Sequence, residues 1–365
     1  MSSNTTGDSN TATGAFALNN NTIGDSNTAN GRQALYSNTT GYFNTASGRA
    51  ALNSNTTGSE NTANGFQALF YNTPGSDNTA IGTTALLDNT TGYDNTANGY
   101  QALLNNTTGY QNTATGRNAL VTNTIGTNNT ADGFSAGSIN NDSYYCTFIG
   151  NDADQTITTL TNNSMALGNE SRITASQQVR IGNSSVSSIG GYAPWTDVSD
   201  RRFKQNLQAD VPGLGFILQL RPVTYNLDAH GLAAYLGEDR TGDSENGNGE
   251  TPQKPGALTL QGREEKSRIR YTGFVAQEVE QAAQSIGYDF SGVDKPQNEE
   301  TLYGLRYAQF VVPLVKAVQE QQAEIEKLKA EIQSLKTENE RLKKVETQME
   351  KITAALQGAG IMIDK

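Results

Sequence analysis

The sequence predicts a mostly β chain in which a repetitive β-solenoid (β-roll) precedes an α+β domain and a C-terminal coiled coil. Three observations predict this order. Glycine recurs every 17 residues over residues 4–137, the repeat ends sharply before Trp195, and a seven-residue apolar pattern starts near Leu314. Only 35% of the 365 residues are hydrophobic. This is too few for one wide core, but a stack of thin layers needs only a narrow one.

The repeat unit reads NTTGxxNTAxGxxALxx, and eight copies lead us to assign residues 1–137 to a solenoid shaft. Thr and small residues suit short strands, whereas Gly and Asn suit corners with positive φ. We expect the Ala and Leu positions to point inward and the Asn and Thr columns to stack as ladders, each amide bonding to its copy in the next coil. A disordered linker is the alternative, but a linker needs no strict register. The glycines form two series, Gly7, Gly24, Gly41, Gly58, Gly75, Gly92, Gly109, Gly126 and Gly14, Gly31, Gly48, Gly65, Gly82, Gly99, Gly116, Gly133.

One position of the repeat varies, and it follows the first glycine of each unit. We expect these side chains to be exposed, either as a ligand-binding stripe or as surface that tolerates variation. They are Asp8, Asp25, Tyr42, Ser59, Ser76, Tyr93, Tyr110 and Thr127.

A neck of different spacing is predicted over residues 138–194. Its segments FIGND, ALGNE and RIGNS share an apolar-Gly-Asn core around Gly150, Gly168 and Gly182. These short coils resemble the left-handed β-roll of trimeric autotransporter heads. The stretch VRIGNSSVSSIGG, residues 179–191, resembles the segment that commonly precedes a tail-fibre chaperone domain. The resemblance implies three chains wound together.

Composition and charge exclude several function classes. The net charge of -11 disfavours nucleic acid and anionic membrane surfaces as partners. The lone Cys146 excludes an intrachain disulfide framework, and we expect it to be a small buried residue. His230 is the only histidine, so neither a metal nor another cofactor is expected. No apolar run approaches the roughly 18 residues of a membrane span.

The start MSSNTTGD has no apolar core of a signal peptide. We therefore expect a chain that is exported by another route, released with a phage particle, or cut from a longer protein. The expected location is extracellular, at a cell surface or in a virion tail fibre.

The junction WTDVSDRRFK, residues 195–204, departs from the repeat. From the residues alone, Ser199 and Asp200 are most simply a helix N-cap with an acidic first turn. A Ser199–Lys204 dyad is the alternative. Five residues rotate about 500° in a helix, so the two side chains do not share a helical face. They can meet only if the chain turns between them.

Four motifs occur in order: SDRRFK, LRPVTYN, YTGFVAQEVEQAA (271–283) and GLRYAQFVVPLVKAVQEQQ (304–322). Together they resemble the S74 family, the C-terminal intramolecular chaperone domains of phage endosialidases and tail fibres. We assign residues 195–313 to this domain. The resemblance implies a trimeric folding template that cuts itself off by a Ser-Lys dyad, here Ser199 and Lys204.

This reaction is single-turnover autoproteolysis rather than catalysis on external substrates. We expect cleavage of the Val198–Ser199 bond, because a hydroxyl can reach the preceding carbonyl through a five-membered ring. The Ser199–Asp200 bond is the alternative.

The remaining segments are a polar insertion, a core element and a coiled coil. Residues 237–266 are interpreted as a mobile surface loop or, by the resemblance, as an arm that grips the growing shaft. Residues 273–279 are interpreted as a strand that runs into a helix. Residues 314–357 are predicted to form the coiled coil, and residues 358–365 a tail. The candidate a positions are Val318, Ile325, Ile332 and Asn339, the candidate d positions are Gln321, Leu328, Leu335 and Leu342, and Val345, Met349, Ile352 and Leu356 follow in a shifted register.

The heptad pattern by itself favours two strands, because Ile at a with Leu at d and one buried Asn is typical of dimers. The family resemblance implies three, and we expect a parallel homotrimer set by the upstream shaft. The leading hypothesis is a trimeric fibre or adhesin with a self-cleaving folding domain and a surface glycan or host receptor as partner. The alternatives are a solenoid that binds ice or polysaccharide, and a trimerisation cap that is never cleaved.

Overall fold

The computed structural model describes residues 3–140, 142–156, 160–238, 256–299 and 301–359. Within those ranges the chain forms two compact units, each assembled from segments that are separate in sequence. The first is built from Met1–Pro194, Thr224–Tyr271 and Pro296–Leu302. The second is built from Trp195–Val223, Thr272–Lys295 and Tyr303–Lys365.

The first unit contains a parallel β-solenoid, as the 17-residue period predicts. Each repeat supplies one three-residue strand that begins with Thr-Ala, and equivalent positions of successive coils pair in register. Eleven strands form one sheet. They are β1 (Thr11–Thr13), β2 (Thr28–Asn30), β3 (Thr45–Ser47), β4 (Thr62–Asn64), β5 (Thr79–Ile81), β6 (Thr96–Asn98), β7 (Thr113–Thr115), β8 (Thr130–Asp132), β9 (Thr147–Ile149), β11 (Met165–Leu167) and β13 (Val179–Ile181).

The solenoid continues through the predicted neck. Strands β9, β11 and β13 end at the apolar residue before Gly150, Gly168 and Gly182, and each of these glycines has a positive φ. A second parallel pair, β10 (Asp154–Gln155) and β12 (Arg172–Ile173), lies in this region. The apolar-Gly-Asn segments therefore add coils to the same sheet.

The solenoid interior is thin and made mostly of Ala and Leu. Ala17, Leu18, Ala34 and Leu35 are at most 3% exposed, which confirms their predicted inward orientation. The central alanine of each strand from β2 to β8 is also fully buried. One buried alanine methyl group per strand is enough to fill this part of the interior, because each coil forms only one thin layer of it.

Two buried asparagine ladders connect the coils, as predicted. In the ladder that includes Asn55 and Asn72, each Nδ2 donates to Oδ1 of the preceding coil, and the Asn72–Asn55 distance is 2.8 Å. In the ladder that includes Asn61 and Asn78, the backbone N–H and Nδ2 both donate to the preceding Oδ1. The threonine column also stacks as predicted, because the Thr39 hydroxyl and its equivalents donate to the backbone carbonyl of the equivalent threonine in the next coil. Within the run of similar coils the ladder amides are satisfied because each coil repeats its neighbour. Where one ladder ends, the buried Asn123 Oδ1 has no hydrogen-bond partner among the described residues.

The two glycine series serve different purposes. Gly14 and its equivalents have φ between 115° and 148°, which favours glycine. The series that includes Gly58 has ordinary φ, but a Cβ at Gly58 would lie 2.3 Å from the carbonyl oxygen of Gly75. The interior leucines also have positive φ, as at Leu35 with φ 50°. Positive φ therefore extends beyond the Gly and Asn corners that the sequence predicts.

The variable position after the first glycine is only partly exposed. Asp8, Asp25, Tyr42 and Tyr93 are exposed, as predicted. Ser59 and Thr127 are each 5% exposed, so the prediction was wrong for them. A small hydroxyl fits below the neighbouring coil, and Ser59 Oγ accepts a hydrogen bond from the backbone N–H of Tyr42.

The shorter elements that follow the solenoid are mixed α and β. They are α1 (Leu214–Ile217), β14 (Val223–Asn226), α2 (Ala229–Tyr235), α3 (Ala257–Arg268), β15 (Arg270–Gly273) and α4 (Ala276–Ser285). Strands β14 and β15 pair, and β15 leads into α4, as predicted for residues 273–279. Part of the predicted polar loop, residues 239–255, lies outside the described residues. Its other end forms most of α3, so the loop interpretation was wrong there.

The second unit has a small aromatic core. Phe290 lies 5.0 Å from Phe216 and 4.8 Å from Phe310, measured between ring centroids. Val279, Ala282 and Ala283 of α4 and Val293 also line this core. Strands β16 (Val293–Asp294) and β17 (Gly304–Leu305) pair antiparallel.

The predicted coiled-coil segment is one continuous helix, α5 (Val311–Gly358). Its a and d side chains are largely exposed, as Val318 is 63% exposed and Leu335 is 59% exposed. Among the described residues, no helix is both long enough and apolar enough to cross a membrane.

Candidate functional site

The candidate site begins with a short turn that separates Ser199 from Lys204. Residues Arg201–Phe203 form a 3-10 turn, and the carboxylate of Asp200 caps it by accepting from the backbone N–H of Arg202. The same carboxylate is paired with the Arg202 guanidinium at 2.6 Å. These Arg202 hydrogen bonds lower the pKa of Asp200 below its ordinary value. The cap is therefore Asp200 and not Ser199, the residue that the N-cap interpretation names first.

The turn brings the predicted dyad together. Lys204 follows the turn directly in extended conformation, and its Nζ lies 2.6 Å from Ser199 Oγ. This distance is within hydrogen-bond range and suits a nucleophile beside its base. The requirement that the chain must turn between the two residues is met by the Arg201–Phe203 turn.

The dyad lies on an exposed stretch of the second unit. Ser199 and Lys204 are both exposed, and so are the apolar side chains beside them. Trp195 and Val198 are each 87% exposed, and Phe203 is 75% exposed. A lysine acts as a general base only as the neutral amine, and removal from water favours that form. Exposed aromatic and aliphatic side chains around the dyad are the kind of surface that a partner can cover.

The other chemically reactive residues lie apart from this dyad. His230 Nε2 is 3.8 Å from Glu264. Cys146 is buried, as expected, and burial raises the pKa of its thiol. Within the described ranges, no three His, Cys, Asp or Glu residues are grouped so that they could hold a metal ion.

A buried polar cluster in the first unit was missed by sequence reasoning. Arg263 of α3 is 1% exposed, and its guanidinium lies 3.2 Å from Glu238. Both Glu238 oxygens accept from Ser184, just after the last strand of the solenoid. Glu170 lies 3.7 Å from the same guanidinium. These residues are far apart in sequence, so no local spacing could reveal the cluster.

A second buried acid lies within the solenoid itself. Asp154 accepts hydrogen bonds from Ser138 Oγ at 3.0 Å and from the backbone N–H groups of Ile139 and Gln155 at 2.8 Å. Burial raises the pKa of Asp154 to about 6. These hydrogen bonds join Asp154 to Ser138 and Ile139 within the solenoid, and Asp154 takes no part in the Ser199–Lys204 dyad.

A β-solenoid of repeated coils, followed in the chain by mixed α and β elements and a long helix, fits a tail-fibre-like protein. Residues 199–288 match the peptidase S74 family, described as the chaperone of endosialidase. The segment that follows the solenoid is thus similar to the chaperone domains of this family. The match begins at Ser199 and includes Lys204. No curated protein matches the chain.

Proposed function

We propose that the chain is a trimeric fibre or adhesin whose C-terminal part templates folding of the solenoid and then cuts itself free beside Ser199. The observation that carries this proposal is the 2.6 Å contact between Lys204 Nζ and Ser199 Oγ, at the first residue of the chaperone-family match. A nucleophile and its base at a junction between a repeat and a folding domain suit a maturation step. Such a step needs only one turnover.

The proposed chemistry begins with Lys204 as the neutral amine. It takes the proton of Ser199 Oγ, and the oxygen attacks the carbonyl carbon of Val198 through a five-membered ring. The Val198–Ser199 C–N bond breaks as its nitrogen takes up a proton, which leaves an ester between the Val198 carbonyl and Ser199 Oγ. Water then hydrolyses this ester to a Val198 carboxylate and a free Ser199 hydroxyl. Asp200 and Arg202 are positioning residues, because their ion pair holds the turn.

The exposed apolar surfaces support assembly of several copies. Helix α5 exposes most of its apolar a and d side chains, and the exposed Trp195, Val198 and Phe203 lie close to the dyad in sequence. Burying such side chains is favourable by about 25 cal/mol per Å². In a parallel homotrimer the same packing would remove the dyad from water and favour the neutral amine that catalysis needs.

Self-cleavage is tested by expressing the full chain with single substitutions at the junction. The unchanged chain should give two fragments of similar length, residues 1–198 and 199–365, in place of the 39.0 kDa chain. Ser199→Ala and Lys204→Met should leave the chain whole on a denaturing gel. Ser188→Ala, at an exposed serine upstream, is the matched control and should cleave normally.

Three outcomes separate the alternatives. Intact-mass analysis of the fragments distinguishes the Val198–Ser199 bond from the Ser199–Asp200 bond, because the fragments differ by one serine. Hydroxylamine attacks esters, so it should accelerate cleavage by the proposed route. A Ser199→Ala chain that still splits would refute the dyad, and an unchanged chain that assembles but stays whole would instead be a permanent trimerisation cap.

A second candidate function is binding to ice or to a regular polysaccharide surface. It is favoured by the threonine at the first position of each strand from β1 to β9, which pairs in register with its copies. The neighbouring outward column is mixed, since it contains Asn30, Ile81 and Asp132. Thermal hysteresis of the purified chain tests ice binding, and a freezing point equal to the melting point would rule it out.

A further inference from the structure

One column of the solenoid combines arginine with aromatic residues. It consists of the residues that directly follow the second glycine in the second to eighth repeats, and we call it the guanidinium–aromatic column. Its members are Arg32, Arg49, Phe66, Thr83, Tyr100, Arg117 and Phe134. Because adjacent coils pair in register about 4.8 Å apart, the column is a straight line about 29 Å long.

The positive and negative side chains of residues 1–137 are distributed differently with respect to this column. Residues 1–137 contain three arginines and no lysine, and all three arginines lie in the column. The same stretch contains seven acidic residues, and none of them lies in the column. The other side chains of residues 1–137 are neutral or acidic, so the column holds all the arginine and lysine charge of that stretch.

Two of the three arginines, Arg49 and Arg117, contact the aromatic rings of neighbouring coils. The Arg117 guanidinium lies between two rings, 5.3 Å from the centroid of Tyr100 and 5.8 Å from that of Phe134. The Arg49 guanidinium lies 5.6 Å from the centroid of Phe66. Phe66 is 40% exposed and Phe134 is 43% exposed, so the rings also face solvent.

This arrangement prepares the guanidinium for a carboxylate. The rings of Tyr100 and Phe134 lie on the coils before and after Arg117 and limit the movement of its guanidinium. A guanidinium carries paired N–H donors that match the two oxygens of a carboxylate. A side chain held in advance loses less freedom when a ligand binds. The exposed rings add apolar surface for the C–H faces of a sugar.

We propose that the guanidinium–aromatic column binds a carboxylate-bearing polysaccharide laid along the solenoid. The arginines would pair with sugar carboxylates, and the rings would pack against the sugars between them. Nucleic acid fits less well, because its affinity depends on many phosphate contacts and only three cations are present. The proposal concerns the solenoid alone and does not depend on self-cleavage, which is measured separately.

The test uses the full chain and two carboxylated polymers, polygalacturonic acid and alginate. Binding is measured by calorimetry at about 0.15 M salt, where a Debye length near 8 Å screens repulsion from carboxylates elsewhere on the chain. Methyl-esterified polygalacturonic acid, in which the carboxylates are blocked, is the ligand control. We expect binding to a carboxylated polymer and at least roughly tenfold weaker binding to the ester, as for loss of a charged hydrogen bond.

Variants locate the site. Arg117→Gln and Arg49→Gln should each weaken binding by roughly tenfold. Arg180→Gln makes the same charge change at an exposed arginine of β13, outside the column, and should leave affinity unchanged. Thr83→Arg adds a guanidinium between the coils of Phe66 and Tyr100 and should increase affinity. Poor folding cannot increase affinity, so the Thr83→Arg result tests the proposal even if Arg117→Gln or Arg49→Gln folds poorly.

Four outcomes would overturn the proposal. They are no binding to either carboxylated polymer, equal binding to the esterified polymer, equal weakening by Arg180→Gln, and a change of oligomeric state in place of affinity when Arg117 is replaced. The last result would mean that a second copy of the chain covers the column.

Discussion

Replacing Asn78 with alanine should remove one rung of a buried asparagine ladder and weaken the solenoid at that coil. Asn78 Nδ2 donates to Asn61 Oδ1 at 3.2 Å and to the Gly92 carbonyl at 2.9 Å. Its Oδ1 accepts from the backbone N–H and from Nδ2 of Asn95, each at 3.1 Å. Asn78 itself is fully buried. The substitution therefore removes four hydrogen bonds and leaves the Asn95 N–H without its acceptor.

The expected loss of stability follows from these contacts. Each hydrogen bond contributes about 1 kcal/mol net, and a buried donor left unsatisfied costs about 1–3 kcal/mol more. The free energy of unfolding should fall by about 5 kcal/mol for Asn78→Ala. Asn98→Ala makes the same chemical change at an exposed asparagine of β6, so its effect should stay within about 0.5 kcal/mol.

Two measurements check this prediction. The midpoint of urea unfolding should shift strongly for Asn78→Ala and hardly at all for Asn98→Ala. Hydrogen exchange should show the cause, because the Asn95 amide should lose protection only in Asn78→Ala. If both variants keep the same midpoint and the same protection at Asn95, the ladder does not hold the coils together and the reasoning is wrong.

Three further predictions follow from other buried features. Gly58→Ala should destabilise the chain by at least about 2 kcal/mol in urea unfolding, because its Cβ meets backbone, whereas Gly190→Ala has open space and should be neutral. Arg263→Ala should cost about 3–5 kcal/mol by leaving buried carboxylates unpaired, whereas Arg268→Ala removes only an exposed pair and should cost at most about 1 kcal/mol in thermal unfolding. Asp154 has its pKa raised from 3.8 to about 6, so its contribution to stability is complete below pH 3.8 and is lost as the pH rises through about 6. That loss is about 3 kcal/mol between those values, and Asp154→Asn should remove this slope from a pH series of urea midpoints.

The sequence predicts the solenoid well because the repeat constrains every coil at once. A fixed period of 17 with Ala and Leu at constant positions is enough to place Ala34 and Leu35 inside. The backbone conformation is less predictable, since glycine marks both a positive φ at Gly14 and a close approach at Gly58. Leu35 takes a left-handed conformation that its residue type disfavours, because the stacked coils determine it.

The dyad and its surroundings differ in how far the sequence predicts them. Spacing alone shows that Ser199 and Lys204 need a turn between them, but the ion pair of Asp200 and Arg202 that fixes the turn is visible only in three dimensions. Helix α3 was missed for a physical reason. Arg263 is its only buried residue, so the segment has no apolar periodicity to mark it as a helix.

The coil-to-coil bonding of the solenoid makes its length adjustable. Each coil hydrogen-bonds to the coils directly before and after it, and the same bonds recur every 17 residues. A deletion or duplication of 17 residues leaves all remaining partners in register, whereas a change of 16 or 18 moves the buried asparagines off their acceptors where the altered coil meets its neighbour. Gain or loss of whole 17-residue units can therefore change the length of the solenoid in steps of about 4.8 Å while every contact between coils is kept.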